Sequence, residues 1–308
     1  TAAMMLPLAL GLLSHLDVSK DRKTFVFILL GIAYSASIGG LGTMVGSPPN
    51  AIAAKALGYD FADWMKIGLP MMFIILPAML VSLYLVLRPK LNYKVQFVTE
   101  NIPWTGTRIA TMILFLCTAI AWIFSKKFTE IFGISQPDTW IAILAACMVV
   151  ILGTASWKQI AENTDWGVLY LFGGGLTLSA ILKDSGSSLV LGQTLANAFG
   201  DASPLIIIFV VATFIIFLTE FTSNTASAAL LVPVFAAIAD QMGMPKEILV
   251  IVIGIGASCA FMLPVATPPN AIVFGTGYIQ QSEMMKVGFV LNIMCIFIIS
   301  LFIYWFFI

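Results

Sequence analysis

The chain has 308 residues, of which 60% are hydrophobic and 10% are charged, with 15 Lys and Arg set against 15 Asp and Glu. A soluble domain carries about 25% charged residues, so the composition excludes an ordinary water-soluble protein, and the formal net charge of +0 leaves no basic surface for nucleic acid. It predicts an all-α polytopic membrane protein, because open strands in lipid leave backbone groups unpaired.

Thr1 opens directly into AAMMLPLALGLL without a charged leader, and we expect the chain to begin part-way through a longer protein. The single histidine, His15, stands in a polar turn and is assigned no chemistry. The first long uncharged run, Thr24 to Ala54, contains SIGGLG (Ser37 to Gly42) and then GSPPNAI (Gly46 to Ile52). Proline has no amide donor and disfavours helical geometry at the residue before it, so Ser47, Pro48 and Pro49 are expected to unwind this helix, loosened further by the glycines. Uncharged runs follow at Ile67 to Leu87, Ile109 to Ser125, Thr139 to Trp157 and Trp166 to Leu182. Each is close to the ~20 residues that about 30 Å of hydrocarbon asks of a helix. Gly173, Gly174 and Gly175 read as close helix packing, since a phosphate loop needs the Walker lysine.

The runs Ala202 to Thr219 and Phe221 to Ala239 flank the polar segment TEFTSNTA, Thr219 to Ala226. Its apolar arms, Pro204 to Leu218 and Ala226 to Ala239, have 15 and 14 residues, short for full crossings. A re-entrant hairpin fits them better, with Ser223, Asn224 and Thr225 at its tip just before a helix amino end; the alternative is an ordinary cap at a surface turn. Glu220 is the only acid there, and it stands equally as a site residue or as a partner beside the tip. The run Ile248 to Ser282 carries ATPPNAI (Ala266 to Ile272), a second break at Thr267, Pro268 and Pro269, and Val287 to Ile308 closes the chain. Asn50 and Asn270 suit the caps of the helical pieces that restart after the breaks. Cys117, Cys147, Cys259 and Cys295 fall in apolar runs without paired spacing and are expected to pack, not to bridge.

The two proline segments are near copies, and the register that aligns Gly46 with Ala266 also pairs Met65, Lys66 and Gly68 with Met285, Lys286 and Gly288. AAMMLPL at Ala2 to Leu8 resembles AALLVPV at Ala228 to Val234, in a slightly shifted register. This is an internal repeat. Four spanning runs separate the copies, an even number, so the second break runs opposite to the first and the repeats are inverted, as in secondary transporters. By that symmetry, on the order of 120 or more residues precede Thr1 in the intact protein. With the connections 14–24, 88–108, 154–165 and 277–286 on one side, that side holds nine Lys and Arg against six, which predicts it to be cytoplasmic. One proline pair reads as a packing kink; two at matching places in inverted repeats point to a binding site.

Neither proline segment nor Thr219 to Ala226 contains Lys or Arg. They offer hydroxyls, amides, helix amino ends and unwound carbonyls, a set in which carbonyls and hydroxyls suit small cations and helix amino ends suit carboxylates. A cation and an anion bound side by side would neutralise one another, which couples their movement. No HExxH or GxSxG occurs and no His or Cys pairs with an intramembrane Ser, so an enzyme is not expected.

The SNT word at Ser223 to Thr225 beside a hairpin arm, with SPP and TPP breaks in inverted repeats, resembles the divalent anion/sodium symporter family. The likeness is closest to its bacterial INDY-type sodium/dicarboxylate transporters and covers the whole chain in order. It implies that Ser47, Pro48, Ser223, Asn224, Thr225, Thr267 and Pro268 bind substrate. It implies that Gly46 donates a carbonyl to a first sodium ion, and that Thr219, Thr222, Asn224 and Ala266 surround a second. The family's first SNT lies outside this chain, so the first ion site and half of the carboxylate clamp are incomplete in it. The resemblance further implies import of succinate, fumarate or malate with Na+ by elevator-like movement of a homodimer in the bacterial inner membrane. A symporter or exchanger for citrate, sulfate or another divalent anion is the alternative, followed by an anion channel. The organisation it suggests is 1–66, the end of a first hairpin and the first broken helix; 67–165, mainly scaffold and dimerisation helices; 166–283, a second-repeat helix, hairpin and broken helix; and 284–308, a C-terminal transmembrane helix.

Overall fold

A computed structural model describes residues 2–13, 18–90, 103–164 and 202–308, with scattered positions between 166 and 197. His15, most of the expected run from Trp166 to Leu182, and Gly175 lie outside the described residues. The described helices are α1 (Ala2–Leu13), α2 (Val18–Gly40), α3 (Pro48–Leu57), α4 (Phe61–Leu87), α5 (Gly106–Ile123), α6 (Ser125–Phe132), α7 (Pro137–Ile151) and α8 (Trp157–Asn163). They continue with α9 (Pro204–Thr219), α10 (Asn224–Gln241), α11 (Lys246–Gly256), α12 (Pro268–Phe274) and α13 (Gln281–Phe307). No strand occurs among the described residues.

By length and composition, α2 from Asp21, α4, α5 and α13 can each cross a membrane, and α6 with α7, bent by 107°, adds a fifth span if the pair counts as one. Every described element is a helix, and the spans make the chain a polytopic integral membrane protein. The expected run Thr139 to Trp157 is not one helix: α7 stops at Ile151, Gly153 takes φ 64°, and Ser156 caps the separate α8.

α11 is buried from Ile248 to Gly256 on every face, as a helix apolar all round must be. It lies among α3, α9, α10 and α13, while α2 packs on α4 and α12, and α4 packs on α13. Cys259 and Cys295 are buried in this core, and all four cysteines are free. Arg22 of α2 grips Glu283 of α13 with two bonds of 3.0 Å. α5 and α7 pack on each other and α5 reaches α4, where Phe61 stacks on Trp122 at 5.2 Å and Lys126 meets Asp63 at 2.8 Å. Neither α5 nor α7 buries a residue, and Phe115 and Leu144 are 70% and 62% exposed, a surface suited to hydrocarbon or to protein and not to water.

Both expected breaks are present. The chain leaves helical geometry after Gly40 and resumes it at Pro48, and leaves it again after Gly256 and resumes at Pro268. The prolines occupy the first helical positions, where a missing N–H costs nothing. The caps are Ser47 (φ −149°, ψ 136°) and Thr267 (φ −141°, ψ 149°), not Asn50 and Asn270 as expected. The reason is local: a residue before proline is driven to extended geometry, which is the geometry of an N-cap. Ser37 to Gly40 stay helical, so the glycines of SIGGLG end the helix and do not loosen its middle.

Each break is crossed at close range by a glycine. A Cβ on Gly68 of α4 would collide with the carbonyl oxygen of Leu41, and a Cβ on Gly288 of α13 would collide with that of Phe261. Gly68→Ala and Gly288→Ala are therefore each expected to cost about 1–3 kcal/mol, the usual range for overpacking. The loss is measurable as a lower Tm in detergent. Gly106→Ala, which meets nothing within 4 Å, serves as the unaffected control.

Candidate functional site

A cavity of about 680 Å³ opens where the two breaks meet the start of α10. Gly46, Ser47 and Pro48 line it from the first break, Ala266, Thr267 and Pro268 from the second, and Ser223, Asn224 and Thr225 from the tip between α9 and α10. Segments far apart in the chain thus line one cavity. Thr219 and Thr222, the other two expected site residues, do not line the cavity. Thr219 is fully buried behind it, with its hydroxyl against the side-chain oxygen of Asn224 and 3.0 Å from the Ala257 carbonyl. One hydroxyl proton serves three oxygens there, an oxygen-rich corner that a small cation would complete. Thr222 turns aside, with its hydroxyl on the Leu218 carbonyl at 3.0 Å and on Ser227 Oγ at 2.7 Å.

Ser258 is a lining residue that sequence reasoning missed. Its Oγ is 2.8 Å from Ser47 Oγ across the cavity, and the residue is 4% exposed. It lies upstream of Pro268, in a stretch that pattern alone reads as continuing helix. No sequence signal separates it from a serine that simply bonds back into its own helix. Ser37 lines the cavity as well.

The unwound main chain is held by side chains, and equivalent contacts recur in both breaks. Asn50 Nδ2 donates to the carbonyls of Gly40 and Thr43, at 2.9 Å each. Asn270 Nδ2 donates to those of Ala260 and Leu263, at 3.2 and 3.0 Å. Trp64 Nε1 donates to the Leu41 carbonyl at 3.1 Å, and Tyr34 Oη donates to the Phe261 carbonyl at 2.6 Å. The Gly46 amide reaches the Thr43 carbonyl at 3.1 Å, as the Ala266 amide reaches that of Leu263 at 3.2 Å. Buried carbonyls without helical partners need such donors.

The breaks are one-sided in what they leave for a ligand. Two prolines at the start of α3 and of α12 strip those first turns of N–H donors, so the breaks present chiefly carbonyls and the hydroxyls of Ser47 and Thr267. α10 is the complement. It opens on Asn224 and Thr225, whose first-turn amides have no helical acceptor, behind Ser223 as N-cap. Cation-type and anion-type groups therefore face one cavity, and none of the described residues lining it is charged.

Glu220 lies beside this wall and not in it. It is 1% exposed, and its carboxylate accepts from the amides of Phe261 (2.8 Å), Met262 (2.9 and 3.1 Å) and Leu263 (3.0 Å) and from Asn292 Nδ2 (2.7 Å). Of the two readings open at the sequence level, its geometry is that of a partner beside the tip.

A family model for the sodium:sulfate symporter transmembrane region matches residues 1–308. A protein of Haemophilus influenzae described as an uncharacterized transporter is 57% identical over 308 residues, an alignment that takes in 97% of this chain and 67% of that protein. Another uncharacterized transporter, from Methanocaldococcus jannaschii, is 38% identical over 302 residues, with 97% and 67% covered. A sodium-dependent dicarboxylate transporter of Staphylococcus saprophyticus is 33% identical over 347 residues, with 99% of this chain and 65% of its own length covered. The chain spans about two thirds of the length of these relatives.

Removing either bracing asparagine takes the side-chain donor from one carbonyl that has no other, that of Gly40 or of Ala260, at a cost of about 1–3 kcal/mol for the unpaired group. Asn50→Ala is expected to speed amide exchange across residues 41–47 and Asn270→Ala across residues 257–267. Exchange that rises equally in both breaks for either variant would contradict separate bracing.

Proposed function

Because the chain belongs to the sodium:sulfate symporter family, we propose that it forms part of a secondary active carrier that couples sodium entry to import of C4 dicarboxylates such as succinate, fumarate or malate. The observation that carries this reading is the cavity in which carbonyls from two proline breaks face a helix amino end with no charge among the described residues that line it. A dianion placed there meets no fixed cation among the described residues. Burying such a charge unpaired is prohibitive, so a mobile cation must enter with it. Hard oxygen ligands of the kind at Thr219, Asn224, Ala257 and Ala266 suit sodium, and the Ser223 to Thr225 tip suits a carboxylate. The relatives described as sodium-dependent dicarboxylate transporters, at 33% identity and below, support the same pairing.

In this reading Ser47, Pro48, Ser223, Asn224, Thr225, Thr267 and Pro268 contact the dicarboxylate. Gly46 contributes to one sodium site, and Thr219, Thr222, Asn224 and Ala266 surround another. The contacts that recur around Asn50 and Asn270 support two structurally equivalent halves, which we read as inverted repeats with α9 and α10 as a re-entrant hairpin. Elevator-like movement of residues 1–66 and 166–283 against a scaffold within 67–165, in a homodimer of the bacterial inner membrane, completes the proposal.

The family's description favours one second reading, in which the anion is sulfate. The full-length protein in proteoliposomes separates the two. Succinate uptake is expected to need sodium, to stop when potassium replaces it, and to fall at least about tenfold in Asn224→Ala, which removes both an ion ligand and a tip donor. Uptake indifferent to that replacement defeats the coupled mechanism, and sulfate competing better than succinate selects the second reading.

A further inference from the structure

We propose that Glu220 is the positioning residue of the second break: its carboxylate holds the unwound chain between Ala257 and Ala266 in the shape that binds an ion, without touching ion or substrate. This rests on the reading above, that Thr219, Asn224 and the second break surround sodium.

Where α11 ends, Phe261, Met262 and Leu263 lose the helical carbonyls that their amides would otherwise meet. Both oxygens of Glu220 replace them. Three successive N–H groups converge on one anion, a concave arrangement known from anion nests in loops. Asn292 of α13 supplies the fourth donor, so the carboxylate joins the hairpin tip, the break and α13 at one point. The Phe261 peptide is gripped from both ends, since Tyr34 donates to its carbonyl while its amide reaches Glu220.

Two features set this apart from a plain structural anchor. First, every partner is a neutral donor, and no Lys, Arg or His among the described residues pairs with Glu220. A buried carboxylate without a cation is costly in a low-dielectric interior, and a neutral acceptor would cost less if anchoring were its only task. Second, Glu220 directly follows Thr219, whose hydroxyl sits on Asn224 and on the Ala257 carbonyl. A shift of the nest would therefore move a predicted ion ligand on each side of it.

The test uses the full-length protein in proteoliposomes with succinate uptake followed across a sodium series, and amide exchange of Phe261 to Leu263 in detergent. Glu220→Gln keeps the size of the side chain but sets an NH2 group against main-chain N–H donors. It is expected to raise the half-saturating sodium concentration about tenfold or more while the succinate KM at saturating sodium stays within about twofold, and to speed exchange at the three amides. A loss of maximal rate with the sodium requirement unchanged overturns the proposal, and so does unaltered exchange. Should Glu220→Gln not reach the membrane, Asn292→Ala decides: it keeps the carboxylate and deletes one donor, so a smaller shift in sodium requirement, about threefold, is expected, and none counts against it. Wild-type uptake that ignores sodium defeats the functional reading, whereas the exchange measurement on Glu220→Gln still tells whether the carboxylate holds the break.

Discussion

Main chain that leaves helical geometry inside a membrane protein carries amides and carbonyls that hydrocarbon cannot pair. Almost everything distinctive about this structure follows from how two such stretches are satisfied. Asn50 and Asn270 reach back to carbonyls upstream of them, Trp64 and Tyr34 take those of Leu41 and Phe261, and Glu220 takes the amides of Phe261, Met262 and Leu263 in the second stretch. Gly68 and Gly288 let α4 and α13 come close enough to hold these segments against the core. Satisfied in this way, the unwound main chain is braced by side chains from several helices.

The prolines do more than stop a helix. At the first two positions of α3 and α12 they subtract the donors with which a helix start would attract an anion, and so leave the breaks to oxygen. The start of α10 has no such prolines and keeps its amides. One cavity thereby has an oxygen-rich wall and a donor-rich wall although no charged side chain among the described residues lines it. In the proposed reading the arrangement lets opposite mobile charges reside together and penalises either alone, and that penalty is the physical content of coupling.

Much of this was legible in the residues. Uncharged runs of membrane length, the duplicated proline segments and the short arms around TEFTSNTA pointed to the breaks and to the tip, and the structure brings Ser47, Asn224 and Thr267 to one cavity. Other parts were not legible. Proline geometry moved the caps to Ser47 and Thr267, which released the two asparagines for bracing. Thr139 to Trp157 read as a single span because apolarity is blind to the turn at Gly153. That the Thr222 hydroxyl rests on Ser227 is likewise invisible in the polar word it shares with Thr219. Ser258 carries no signal of its own, and its meeting with Ser47 is a fact of packing.

The sequence by itself determined the solvent, the class and the points at which helices must stop, because apolar length and proline act over a few residues and need no partner. Which groups from distant parts of the chain meet was decided only by the tertiary structure. A carboxylate such as Glu220 has the same local sequence whether it faces an ion, a lysine or a row of amides. Its role is set by which donors the packing of α9, α13 and the second break brings within hydrogen-bond reach of it.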